Sequence, residues 1–308
     1  ICNGMDANGT VLLGNGRGQL TLATPSGTST HTRQAHAGDV LWTASSAEGV
    51  RASGGADGLV RLYHRDDPRL SVALEGHERS VVGGAFVDGG SVVVTWDEGG
   101  RVLWWTVPDR VRPRPRPGED SEAPRSLQLV ERFDHNPGDG STTDVTAAHI
   151  SSDGAVTGDG RGAAWVWPHG APPLGPFRHA DVAEGRPPPE HDRGLIGMID
   201  ARLFRSPSGA LQVLTASHDG RAIVWNANDQ MASQTPVVLV HGLPLSSADI
   251  HPAGHQVVTG AWDGKVRLWD AQTGELLRSS PPGPGSGRYV MDVAFSPDGQ
   301  RIAAATWD

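Results

Sequence analysis

The stretch VVTGAWDGKVRLWDAQTGELL, residues 257–277, decides the fold. It opens on a β-rich run, turns at Asp263-Gly264 and continues as the alternating strand KVRLWD. It then turns again at Thr273-Gly274 and ends on another strand. Asp-Gly between two alternating apolar runs is the strongest short-range hairpin signal. The unit recurs as LTASHDGRAIVWNA (214–227) and ASGGADGLVRLYHR (52–65). Looser copies are VVTWDEGGRVLWWTV (93–107), VTGDGRGAAWVWPH (156–169) and LLGNGRGQLTLATP (12–25), and AAATWD (303–308) begins another. Upstream of each hairpin lies one more short strand closing on a turn, most clearly at AFSPDG (294–299), where Ser, Pro, Asp and Gly supply the turn geometry.

Each unit therefore holds four strands, a to d. The chain is expected to start within a strand a, at residues 1–5, and to stop after a strand b, at 302–307. About seven units in 308 residues give a period of about 44, within the spacing of four-stranded propeller blades. The expected fold is all-β, a propeller of about seven blades with the last cut after strand b, forming a single domain over 1–308.

Composition agrees. With 41 Gly, 23 Pro and 10 Trp against 5 Phe and 2 Tyr, long helices are disfavoured and short strands with turns are favoured. No run of about 18 apolar residues is present to span a membrane as a helix. The net charge of -9 lacks the basic field of a nucleic-acid binder. The single cysteine, Cys2, excludes an intrachain disulfide and fits a reducing cytoplasm. Because the chain opens on Ile1 and stops inside a repeat, it is expected to be a fragment of a longer chain.

These units resemble WD40 repeats over essentially the whole chain, in the style of a bacterial WD40 domain. The family's signature is Gly-His before strand a, Ser or Thr on strand b, Asp in the b–c turn and Trp ending strand c. The resemblance implies that these four form a hydrogen-bonded chain within a blade. A buried indole N–H needs an acceptor, and a hydroxyl and an imidazole can relay the bond to a carboxylate. The family pattern maps onto His241, Thr259, Asp263 and Trp269 in one unit, and onto His36, Ser53 and Asp57 in another, with Tyr63 in the Trp place. A third has Thr215, Asp219 and Trp225 without a well-spaced His. The unit after His77 keeps Thr95 and Trp105 but has Gly99 in the Asp place, and that around Trp167 keeps Thr157 with Arg161 there. The first unit has Leu13, Arg17 and Ala23, so its network is lost. On this alignment one unit is complete, and Thr95 is expected to matter less than Asp263.

Two insertions stand out. Residues 108–125, PDRVRPRPRPGEDSEAPR, lie between strands c and d of the third unit, and the Pro-Arg alternation favours an extended polyproline conformation. This is either a docking peptide or a solvated loop. Residues 179–194, HADVAEGRPPPEHDRG, fall between strands d and a. The family topology places c–d loops on the bottom face and d–a loops on the top.

Chemical motifs are sparse. No phosphate-binding Gly-x-x-x-x-Gly-Lys-Ser/Thr and no Gly-x-Ser-x-Gly nucleophile elbow occurs. GNGRG at 14–18 sits in a b–c hairpin with no helix after it to hold a phosphate. Val81 stands where a zinc-protease motif starting at His77 needs its second His. Asp134, Asn136 and Asp139 only faintly resemble a calcium loop. His36, His77 and His241 read as network members, not as bases. No catalytic residue, cofactor site or metal site is expected.

What remains is surface recognition. In WD40 proteins the residue just before the turn Asp often points from the top face toward partners. That place holds Gly16, Ala56, Glu98, Gly160, His218, Trp262 and Trp307. His218, Trp262 and Trp307 come from successive units and are the candidate partner-binding residues, or their rings lie over neighbouring loops. The expected function is a non-catalytic scaffold or sensor for other proteins or peptides, working as a monomeric ring. One alternative is a regulatory domain of a bacterial signalling NTPase or kinase. The other is a propeller enzyme, disfavoured because strand-a residues such as Val82, Ala85, Ala147, Ala248 and Val293 are small or apolar.

Overall fold

In a computed structural model of the chain, strands and turns follow the repeats. The structure describes residues 2–5, 10–24, 26, 29–46, 48–64, 71–111, 129–134, 144–151, 153–168, 171–182, 197–227, 235–281 and 289–307. Among them, every element longer than three residues is a β-strand. The chain divides into two compact units, residues 1–143 and 144–308.

The first unit holds three blades. They are β1 (Cys2–Met5), β2 (Val11–Gly14), β3 (Gln19–Ala23) and β4 (Ser29–Gln34); then β5 (Val40–Ser45), β6 (Arg51–Gly55), β7 (Val60–Tyr63) and β8 (Ser71–Leu74); then β9 (Val81–Val87), β10 (Val92–Asp97), β11 (Arg101–Thr106) and β12 (Leu129–Asp134). The second unit opens with β13 (Val145–Ser151), β14 (Gly154–Asp159), β15 (Ala163–Pro168) and β16 (Leu174–Arg178). The fifth blade is β17 (Met198–Arg205), β18 (Leu211–Ser217), β19 (Arg221–Asn226) and β20 (Val237–Val240). The sixth is β21 (Leu245–Ile250), β22 (Gln256–Ala261), β23 (Val266–Asp270) and β24 (Leu276–Ser279), and β25 (Val290–Phe295) with β26 (Ile302–Thr306) makes the seventh. Among the described residues six sheets have four strands paired in chain order and the last has two, all antiparallel. This is the blade order of a β-propeller, with the seventh blade ending after strand b as expected.

One blade cannot bury both faces, so within each unit the cores form between neighbours. Leu62, Leu74 and Val60 of the second blade pack with Val81, Val93 and Leu103 of the third. Val156 and Val166 of the fourth pack with Met198 and Leu203 of the fifth, and Leu214 and Val224 pack with Leu245 and Val257 of the sixth. Close approach at these seams depends on glycine. A Cβ at Gly54 would stand 2.7 Å from Val81, and one at Gly260 would stand 2.4 Å from Val290.

Parts of the two insertions lie within the described residues. Residues 108–125 begin with a 3-10 turn, Asp109–Val111, whose Val111 is buried; residues 112–125, with the polyproline run, lie outside the described residues. His179–Asp181 is a 3-10 turn with His179 buried, and 183–194 lie outside the described residues. Asn136, Asp139 and the side chains of Cys2 and Asp134 also lie outside them.

Candidate interaction surface and the networks beneath it

Beneath the b–c turns lie hydrogen-bonded tetrads. In the sixth blade the Trp269 indole N–H donates to Thr259 Oγ1 at 2.9 Å. Thr259 Oγ1 is 3.0 Å from His241 Nδ1, and His241 Nε2 is 3.1 Å from Asp263 Oδ1. The carboxylate then accepts the Lys265 N–H at 2.9 Å, which closes the turn. The second blade repeats the relay with a phenol: Tyr63 Oη and Ser53 Oγ are 3.0 Å apart, Ser53 Oγ and His36 Nε2 2.7 Å, and His36 Nδ1 and Asp57 Oδ1 2.8 Å. Burial lowers the pKa of His36 against the opposing pull of Asp57. Burial also raises Asp57, but bonds from the Ala37 N–H and His36 outweigh it and leave this carboxyl below its usual range.

Three of the sequence readings are corrected here. In the third blade Gly99 does not replace the acid, because Asp97 supplies it. His77 Nδ1 is 3.0 Å from Asp97 Oδ2, His77 Nε2 is 2.7 Å from Thr95 Oγ1, and the Trp105 N–H donates to Thr95 at 3.0 Å. Asp97 is the last residue of β10, two after Thr95 and so on the same face of the strand, whereas Asp263 lies in the turn four residues after Thr259. The fifth blade also has its histidine, which is His179. Its Nδ1 is 3.0 Å from Asp219 Oδ2 and its Nε2 is 2.9 Å from Thr215 Oγ1, while the Trp225 N–H donates to Thr215 at 2.7 Å. In both Asp97 and Asp219 the upward push of burial is outweighed by hydrogen bonds, from His77 and from His179, and both carboxyls sit low. In the fourth blade the Trp167 N–H donates to Thr157 at 2.8 Å, and Arg161 does not stand in for the acid. Asp159 closes that turn by accepting the N–H groups of Arg161 and Ala163, each at 2.9 Å.

Arginines extend three of these networks. Arg221 is buried, donates to Asp219 Oδ2 at 2.7 Å, and ties the carbonyls of His179 and Val182 at 2.8 and 2.6 Å. Arg267 donates to the His241 carbonyl at 2.7 Å and pairs with Asp263 at 3.2 Å, and Arg101 donates to the Gly76 carbonyl at 3.1 Å.

In six blades the residue before the turn is held by one recurring backbone bond. The N–H of Ala56 donates to Asp39, Glu98 to Ser80, Gly160 to Asp144, His218 to Gly197, Trp262 to Pro244 and Trp307 to Tyr289. Each acceptor is the residue just before a strand a. In the last three blades this line of loops carries aromatic rings. The His218 and Trp262 rings meet at 5.9 Å, and Trp262 meets Tyr289 edge-on at 5.8 Å. Trp262 is 40% exposed, Tyr289 44% and Trp307 63%. Trp262 thus joins His218 on one side to Tyr289 on the other. The sequence reading missed Tyr289, and its place immediately before strand a could have marked it. Burial lowers the His218 pKa below the usual histidine range.

The inner strands of the second unit are more polar than expected. Ala147, Ala248 and Val293 are buried between blades, because a bulge near the start of each strand a shifts the alternation. His149, Asp200, Arg202, Ser247, Asp249 and Asp292 share these strands. Four of these side chains bond the backbone of the next inner strand: the Leu203 N–H donates to His149 at 3.3 Å, Ala248 to Asp200 at 3.4 Å, Val293 to Ser247 at 3.3 Å and Phe295 to Asp249 at 2.8 Å. An innermost strand is a sheet edge, and these bonds occupy its otherwise unpaired N–H groups. Arg202 pairs with Asp200 at 2.8 Å and lies 3.5 Å from Asp249. Among the described residues no group of three or more His, Cys, Asp or Glu is placed to hold a metal ion. None of their helices is long and apolar enough to cross a membrane.

Comparison with known proteins follows the same pattern. The family described as WD domain, G-beta repeat, matches residues 234–270 and 275–308. The chain is 27% identical over 130 residues to actin-interacting protein 1 of Drosophila melanogaster, covering 40% of this chain and 21% of that protein. It is 26% identical over 102 residues to the periodic tryptophan protein 2 homolog of Schizosaccharomyces pombe, covering 33% and 11%. It is 20% identical over 252 residues to WD repeat-containing protein 1 of Bos taurus, covering 81% and 36%. The matched segments span only a minor part of each of these longer relatives.

Proposed function

Because this chain belongs to the WD40 repeat family, we propose that it is a non-catalytic protein-interaction module whose partner docks across His218, Trp262, Tyr289 and Trp307. The observation that carries this reading is the exposed aromatic row centred on Trp262. His218 and Trp262 directly precede Asp219 and Asp263, which are locked in tetrads, so the backbone presenting both rings is already ordered. Little conformational entropy is lost when a partner covers such rings. His149, Asp200 and Asp249 of the inner strands are engaged with neighbouring backbone, which supports an architectural role for them over a catalytic one. That one relative is named for an interaction with actin supports a protein surface as the class of ligand.

The test is comparative affinity purification with the 308-residue chain and its Trp262→Ala/Trp307→Ala double variant, each checked for an unchanged melting temperature. A specific partner should be recovered by the first and lost by the second. Recovery of the same partners in equal amount by both sinks the proposal.

A further inference from the structure

Resting on that reading of the face, we propose that the seam between the sixth and seventh blades receives a cationic side chain, a lysine or arginine, from the protein partner. The seam has two levels. At the mouth, Trp262 and Tyr289 meet edge-on with 61° between their planes, and both are exposed. Exposed aromatic faces carry the negative side of the ring quadrupole and attract ammonium and guanidinium groups.

Below the mouth lies a carboxylate. Asp292 lies on β25, three residues after Tyr289, which immediately precedes that strand. It is exposed, and its Oδ1 accepts the Ser247 hydroxyl at 2.8 Å. Ser247 lies on β21, the inner strand of the Trp262 blade, so both blades contribute to both levels. The neighbouring Ser246 hydroxyl donates to the Val290 carbonyl, which clamps the two strands together at this point.

The charges nearby leave Asp292 available. Asp263 is engaged by His241, Arg267 and the Lys265 N–H, and Asp249 by the Phe295 N–H. Arg202 is directed to Asp200 and Asp249. Among the described residues Asp292 has no ion-pair partner. An apolar partner side chain sealing this seam would cover an unpaired carboxylate, an unfavourable burial that a cation avoids.

The experiment is an NMR titration of the 308-residue chain carrying 15N-tryptophan, following the Trp262 indole signal. The probes are N-acetyl-arginine methylamide and its neutral near-isostere N-acetyl-citrulline methylamide. Arginine should bind about two- to fivefold tighter than citrulline, the range of an exposed cation–π contact, and added salt should erode the difference. Asp292→Asn keeps an acceptor for Ser247 and should reduce the preference while Trp262 still responds. Equal binding of the two probes, no response of Trp262 to either, or a preference unchanged in Asp292→Asn overturns the inference. If it falls while partner binding still requires Trp262, the face stands as an apolar site. If partner binding ignores Trp262 while arginine is still preferred, the docking proposal is the one that fails.

Discussion

His179 Nε2 lies 2.9 Å from Thr215 Oγ1, although 36 residues separate them in the chain. The comparable pairs, His36–Ser53, His77–Thr95 and His241–Thr259, are 17 or 18 residues apart. The extra chain enters after the histidine, between Val182 and Gly197, and the fold holds both of its ends on one hairpin. Arg221 binds the Val182 carbonyl and the His218 N–H binds the Gly197 carbonyl.

This placement makes His179 a structural residue. His179→Ala should destabilise the chain by about 1–3 kcal/mol, the usual penalty for stranding buried polar partners, here Thr215 and Asp219. Replacing residues 184–194 with a short Gly-Ser linker should leave the melting temperature nearly unchanged. Thermal melts in which the linker variant is the weaker of the two would contradict the assignment.

The third blade yields a second stability test. Asp97→Ala should cost about as much as Asp263→Ala, again about 1–3 kcal/mol, and Thr95→Ala should resemble Thr259→Ala. If Asp97→Ala melts like the native chain in urea or heat, His77 draws no support from that carboxylate.

Acid separates two kinds of carboxylate. Asp57, Asp97 and Asp219 have lowered folded pKa values, so their contribution is complete above the ordinary carboxylate range of about 4 and is lost as pH falls through the lower folded values. Asp200 has the opposite sign. Burial pushes it up to about 6 against the pull of Arg202, so its ionisation increasingly disfavours the fold as pH rises from about 4 through 6. Asp200→Asn should therefore gain stability relative to the native chain at pH 7.5, and the difference should shrink at pH 4.5. A difference independent of pH would show that Asp200 titrates normally.

The sequence makes the blades legible because turn chemistry and strand alternation are local. Asp263-Gly264 and the spacing from Thr259 to Trp269 suffice to place a hairpin. The His179 tetrad is not legible locally, since the insertion removes the spacing that identifies its histidine. Asp97 is hidden by a two-residue change in the turn, which sequence alignment reads as a loss of the acid. The inner-strand polar groups are masked by the bulges, which reverse the expected inward and outward positions around Ser247 and Asp292. The candidate face was half legible: His218 and Trp262 occupy a repeating turn position, whereas Tyr289 joins them only through contact between blades.

The most direct test of a partner-binding face at Trp262 is a paired measurement of partner affinity and melting temperature for Trp262→Ala and Trp167→Phe. Trp262 is exposed, whereas Trp167 is buried and donates its N–H to Thr157. Trp262→Ala should weaken the partner by about tenfold or more with little change in melting temperature, as truncation of a hot-spot indole does. Trp167→Phe should lower the melting temperature and leave affinity nearly unchanged in the folded fraction. A Trp262→Ala chain that binds normally but melts early would make that indole structural and place the partner elsewhere.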